Sequence, residues 1–131
     1  MSQEHATYLT DQWTNMWNQI IPAADVVAAD AHVYFGRKPA TARSTSTTSA
    51  SELQSVVDEI QTAIPGIRYG HRSTPTSSTG SDQAAGLITL LWEVSAPGAP
   101  ARSGIDLLQY RGDQITEVWS ITGDLELPSL L

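Results

Sequence analysis

Apolar residues fall at Leu9, Trp13, Met16, Trp17 and Ile20, the i, i+4, i+7, i+8, i+11 spacing that lines one face of an α-helix. Thr10, Asp11, Gln12, Asn15 and Asn18 take the other side, and Pro22 biases Ile21 away from helical geometry, so this helix is predicted to end by Ile21. Asp25-Val26-Val27-Ala28-Ala29 reads as a second, short helix. Ala31-His32-Val33-Tyr34-Phe35, β-branched and aromatic, reads as a strand closing at Gly36. The polar stretch from Arg37 to Thr48 reads as a loop. Behind it, Ser49-Ala50-Ser51-Glu52 has the form of a capping box, and Leu53, Val56, Val57, Ile60 and Ile64 repeat at helical spacing until Pro65-Gly66. From Ile67 the period shortens to that of strands. Ile67 to Arg72, Ala85 to Ser95, Gly104 to Tyr110 and Ile115 to Thr122 are predicted strands, and the segment up to about Asp82 is predicted to be a loop. Pro97-Gly98 and Arg111-Gly112-Asp113 supply turns between the later strands.

Helices first and an antiparallel meander afterwards mean an α+β fold, with helices on one face of a sheet. At 131 residues the chain is expected to form a single domain, 1–131. It carries 14 acidic against 7 basic side chains, a formal charge of −7. No basic cluster is available to neutralise phosphates, so neither nucleic acid nor an anionic membrane surface is an expected partner. The absence of Cys removes thiolate chemistry and Cys-based metal sites and fits a reducing compartment. Met1-Ser2-Gln3-Glu4-His5 lacks a basic segment followed by an apolar run, and the expected location is the cytoplasm. His5, His32 and His71 lack metal-ligand spacing, so no metal is expected. Ser and Thr make up about a fifth of the chain, yet it carries four Trp, which raises the question of core or pocket.

The Trp13…Trp17 helix, the run Ala29-Asp30-Ala31-His32-Val33, and above all the stretch from Gly104-Ile105-Asp106 through Arg111-Gly112-Asp113 to Ile115-Thr116-Glu117-Val118-Trp119 resemble the SnoaL-like polyketide cyclases. These belong to the nuclear transport factor 2-like superfamily, which also holds ketosteroid isomerases and limonene epoxide hydrolases. The resemblance spans about Tyr8 to Asp124. It implies a cone-shaped barrel: a strongly curved antiparallel or mixed sheet with about three helices over its concave face, enclosing a ligand cavity. Such a fold hosts many activities, so the residues must decide between them.

The resemblance transfers unevenly. Asp106 matches the ketosteroid isomerases' oxyanion-stabilising Asp, a carboxyl that its apolar site keeps neutral so that it can donate a hydrogen bond. Trp13 stands at about the position of their donor Tyr. Their general base has no counterpart near Tyr34-Phe35-Gly36, and the Arg that epoxide hydrolases carry two residues before their strand Asp is Gly104 here. SnoaL-like cyclases, which work with one acid/base Asp and no cofactor, fit better. Asp106 is preferred over Asp124 for that part, since alternation sets Asp106, Leu108 and Tyr110 on one face and the aligned face lines the cavity in relatives.

His71 and His32 are the remaining acid/base candidates, each weighed against an ordinary strand histidine. Trp13, Trp17, Tyr34, Trp92, Leu108 and Tyr110 are candidates for the cavity wall, each weighed against plain core. Ile115, Glu117, Trp119 and Ile121 fall on the convex face by alternation, which favours a homodimer through that face. The expected activity is a cofactor-independent cyclase or isomerase acting on a small hydrophobic, oxygenated molecule. The alternatives are a non-catalytic module that binds a ligand or dimerises, and an epoxide-hydrolase-like activity. The loop through residues 41–51 is a candidate lid.

Overall fold

A computed structural model describes residues 3–37, 45–79 and 84–131. Among these, two α-helices, α1 (Gln3–Trp17) and α2 (Ala50–Ala63), accompany seven strands: β1 (Val27–Phe35), β2 (Ser46–Thr47), β3 (Arg68–His71), β4 (Thr76–Thr79), β5 (Ala85–Ala96), β6 (Ala99–Arg111) and β7 (Gln114–Thr122). The sheet order is β2-β1-β7-β6-β5-β3, with β4 also pairing β5; β1 and β7 run parallel and the other pairs antiparallel. The sheet is open rather than a closed barrel. The helix count among the described residues is likewise lower than expected: two α-helices and a single 3-10 turn, Ala23–Asp25.

Helix α1 buries Ala6, Leu9, Trp13, Met16 and Trp17. It ends a turn earlier than the apolar stripe predicted, because Gln19 adopts a left-handed φ of 59° and swings Ile20 into solvent. The predicted short helix over Asp25 to Ala29 is instead mostly strand. Parallel pairing with β7, through Val27↔Ile115, outweighs the helical preference of the alanines. Helix α2 starts as its capping box requires: Ser49 Oγ accepts from Glu52 N at 3.1 Å, while the Glu52 carboxylate reaches back to the Thr48 hydroxyl at 2.6 Å.

Two segments read as loops form strands. Ser46–Thr47 caps the edge of β1, and Thr76–Thr79 pairs with the first half of β5, whose second half pairs with β3. The candidate lid over residues 41–51 falls partly outside the described residues; its described part holds β2 and the start of α2.

The long partners β5 and β6 pair from Ala85↔Arg111 to Ala96↔Ala99. Along β6, Gly104, Asp106, Leu108 and Tyr110 are buried under the helices and Ile105 and Gln109 face out. A register shift at Gln109/Tyr110 leaves Thr116 as an extra residue on β7, and its hydroxyl bonds the Gln109 carbonyl at 3.3 Å. This bulge turns Ile115 into the core, against strict alternation, while Glu117, Trp119 and Ile121 stay on the outer face.

Leu108 and Tyr110 are fully buried in the cluster built by α1, α2, β1 and β7 and form no part of the cavity wall. Their expected role in ligand binding gives way to packing. Leu108→Ala is expected to cost about 2–5 kcal/mol of stability, the range for a well-packed leucine deletion. Urea unfolding measures it, and a loss below about 1 kcal/mol would contradict this placement.

Candidate functional site

Between α1, the end of α2 and the concave face of β3, β5, β6 and β7 lies a cavity of about 250 Å³. Its aromatic wall is continuous. Trp13 and Trp17 meet edge-to-face at 5.8 Å, Trp17 meets Phe35 at 6.3 Å and Tyr69 at 5.4 Å, and Tyr69 meets Trp92 at 6.0 Å between ring centroids. Ile60, Ile64, Ile67, Leu90 and Val94 complete the apolar lining.

Among the described residues, Asp106 is the one acidic group in that lining, and only 3% of it is exposed. Burial pushes its carboxyl pKa above the ordinary value; the nearby polar groups of Ser120, Trp13 and Trp92 pull against the shift. Only Trp13 makes a well-formed bond, Nε1 donating to Oδ2 at 2.8 Å. Among the described residues, the other carboxyl oxygen, Oδ1, has no hydrogen-bond partner of good geometry, and neither does the buried Trp92 Nε1. Two unsatisfied polar atoms thus sit on residues of one cavity wall. Such groups are rare in folded proteins because each forfeits its bonds to water.

The local sequence explains the placement of Trp92. Trp92 and Gly104 are directly paired across β5 and β6. A Cβ on Gly104 would land inside the Trp92 indole. The glycine that stands where epoxide hydrolases carry Arg therefore leaves room for the ring against β6. Among the described residues, the lining holds neither an Arg at that position nor a second acid.

The other candidates separate. His32 is exposed and stacks on Tyr34 at 6.0 Å, and Tyr34 stacks on Trp119 at 5.7 Å and donates to Glu117 Oε2 at 2.8 Å. All four lie on the convex face, because β1 buries Ala31 and Val33, and Phe35 lines the cavity from that same side. His32 and Tyr34 are thereby removed from the cavity, and Phe35 takes the place expected for Tyr34. His71 stands behind the wall: its Nε2 lies 2.7 Å from Thr14 Oγ1, its Nδ1 3.8 Å from Asp11, and only Thr14 of these lines the cavity. Asp124 is exposed and paired with Arg37, which holds its pKa below the ordinary value.

Tyr69, Ser120, Arg37 and Arg102 also line the cavity and escaped the sequence reading. Burial, and secondarily the nearby Asp106, push the Tyr69 phenol pKa well up, so it stays a neutral hydrogen-bond donor. Arg102 carried a signal: it is four residues before Asp106 on the same strand, hence on the same face. Ser120 carried none, since its pairing with Asp106 depends on register.

A helix-covered, strongly bent sheet with a cavity between helix and sheet invites comparison with known structures. A candidate isomerase of the SnoaL-like family from Agrobacterium tumefaciens superposes with a TM-score of 0.72 at 12% identity, over 92% of this chain and 98% of that one. A nuclear transport factor 2-like superfamily protein from Salmonella enterica gives 0.73 at 10% identity, over 90% and 88%. This chain has the nuclear transport factor 2-like fold. A protein from Catenulispora acidiphila with a ketosteroid isomerase-like fold, solved with trimethylamine, gives 0.60 at 19% identity over 94% and 88%. No family model and no curated protein matches the sequence. Within this fold the concave face carries Asp106 and the convex face carries Trp119. No helix among the described residues is long and apolar enough to cross a membrane.

The raised Asp106 pKa fixes the sign of a pH effect. The folded state keeps a proton that the unfolded chain releases, so stability falls as pH rises from the ordinary carboxyl value to the folded one. Asp106→Asn is uncharged in both states and escapes that fall. Its stability relative to wild type should rise with pH across this interval, read from urea unfolding at a series of pH values. Parallel pH profiles would show that Asp106 is ionised in the folded protein.

Proposed function

We propose that this chain is a cofactor-independent enzyme of cyclase or isomerase type that binds a hydrophobic carbonyl compound and moves protons through Asp106. One observation carries this: on the wall of one aromatic cavity, Asp106 Oδ1 and Trp92 Nε1 are both buried and both without a well-formed hydrogen bond among the described residues. A carbonyl oxygen has two lone pairs. It would accept one hydrogen bond from the protonated carboxyl and one from the indole N–H, satisfying both atoms at once. An alkylammonium group, as in the trimethylamine of the Catenulispora protein's structure, would engage the carboxyl and leave the indole N–H unpaired. Oxygen is the better match.

Donors aimed at a carbonyl oxygen stabilise the negative charge that builds there as an α-proton leaves, and a water-poor aromatic cavity strengthens the effect. The proton count closes on one carboxyl group. Asp106 gives its proton to the substrate oxygen, and as a carboxylate it takes the α-proton, leaving an enol and a re-protonated Asp106. That tautomerisation is also the activating half of an intramolecular aldol ring closure. The Trp13 bond to Oδ2 keeps the carboxyl oriented through both transfers.

Among its described residues the lining holds no second carboxyl and no histidine, which favours a second reading, a binding protein without turnover. β-Tetralone in heavy water separates the two. Catalysed loss of its α-proton NMR signal, reduced at least ~100-fold in Asp106→Asn, is expected of the enzyme. Binding that quenches Trp fluorescence with no exchange above background would leave only the binding protein.

We further propose that a second copy covers the convex face, where Ile105, Trp119 and Ile121 are 48%, 40% and 62% exposed on neighbouring strands. Large contiguous apolar exposure of this kind marks an interaction surface. Sedimentation should give a dimer for the wild type and a monomer for Ile121→Glu; a wild-type monomer at tens of micromolar would end this assignment.

A further inference from the structure

The cavity is polarised along its length. At the inner end Asp106 is buried. The other charged residues in the lining are both arginines, Arg37 and Arg102, and both are exposed, so they stand at the mouth. In a chain with net charge −7, two cations on one rim run against the overall balance. Arg37 is already neutralised by Asp124. Arg102 has no ion pair and no hydrogen-bonded partner among the described residues, although it lies near enough to Asp124 to lower that carboxyl's pKa slightly.

Arg102 and Asp106 share a face of β6 four residues apart, which separates their backbones by roughly 13 Å. Gly104 stands between them without a side chain, and the Trp92 indole lies across it. A flat molecule resting on that ring would reach one group at each end.

We infer that the ligand is an amphiphilic acid: an apolar, ring-containing body with an oxygen at the Asp106 end and a carboxylate at the mouth, held by Arg102. The guanidinium offers paired N–H donors that match a carboxylate. The mouth position leaves the charge partly in water, so the ligand avoids the cost of burying it. The inference deepens the proposed function, since it presumes a ligand oxygen between Asp106 and Trp92, and it narrows the substrate to a hydrophobic oxo acid.

Three probes test it: β-naphthol, a hydroxynaphthoate with hydroxyl and carboxylate at opposite ends of the ring pair, and the methyl ester of that acid. Each is titrated against the wild type, Asp106→Asn and Arg102→Gln, followed by Trp fluorescence. The wild type should bind the acid roughly three- to tenfold more tightly than its ester, a margin set by a partly exposed ion pair. That margin should shrink with added salt and vanish in Arg102→Gln, where acid and ester bind alike. An acid no tighter than its ester in the wild type, or a preference that survives Arg102→Gln, overturns the inference. If naphthol binds and weakens in Asp106→Asn while the acid shows no preference, the Asp106 site stands and only the mouth assignment falls. Failure of all three probes to bind overturns both.

Discussion

The hydrogen bond from Trp13 to Asp106 joins residues 93 positions apart, and the rest of the site depends on it. An ionised carboxylate under a helix, away from water, is too costly to keep without full compensation. One indole N–H at 2.8 Å compensates one oxygen and leaves the other bare. Burial therefore raises the group's pKa while the Trp13 bond pulls against that rise, so the contact that seats α1 on the sheet also tempers the proton affinity of the cavity's one acid among the described residues. A buried acid whose proton affinity is raised in this way is a different reagent from a surface aspartate.

Around that bond the cavity is assembled by what is missing as much as by what is present. Gly104 lacks the side chain that would displace Trp92, and the ring that fills the gap brings a second unsatisfied donor toward the carboxyl. The aromatic wall then spreads outward through Tyr69 and Trp17 to Phe35, so elements from both ends of the chain touch one volume. Asn18 fastens this arrangement, exchanging hydrogen bonds with both backbone groups of Tyr69 at 2.9 and 3.0 Å. These bonds tie the segment after α1 to β3, and with it one wall of the cavity to the other. The two faces of the sheet differ: the concave one lines the cavity, and the convex one carries Tyr34, Trp119 and Ile121.

Both long helices, five of the strands and the turns at Gly98 and Gly112 were legible in the sequence, because each rests on local periodicity or a glycine with positive φ. So was the face of β6 on which Asp106 lies, through its strand parity with Leu108 and Tyr110. The strands β2 and β4 were not legible. They are short, polar edge segments that exist only because β1 and β5 offer unpaired backbone groups. Misplacing His32 and Tyr34 had the same origin: alternation divides a strand into two faces without saying which one meets the helices.

What the sequence determined by itself was the inventory: an acidic, cysteine-free α+β chain with amphipathic helices, a long meander and a carboxyl flanked by apolar strand residues. Only the tertiary structure decided that Asp106 keeps a bare oxygen beside a bare indole N–H, that Leu108 and Tyr110 are packing while Phe35 and Tyr69 line the cavity, and that Arg102 stands at its mouth. The reason is physical. Periodicity is a property of neighbours along the chain, whereas burial, hydrogen-bond satisfaction and proton affinity are set by groups tens of residues away, through registers that a one-residue bulge such as that at Thr116 can reverse.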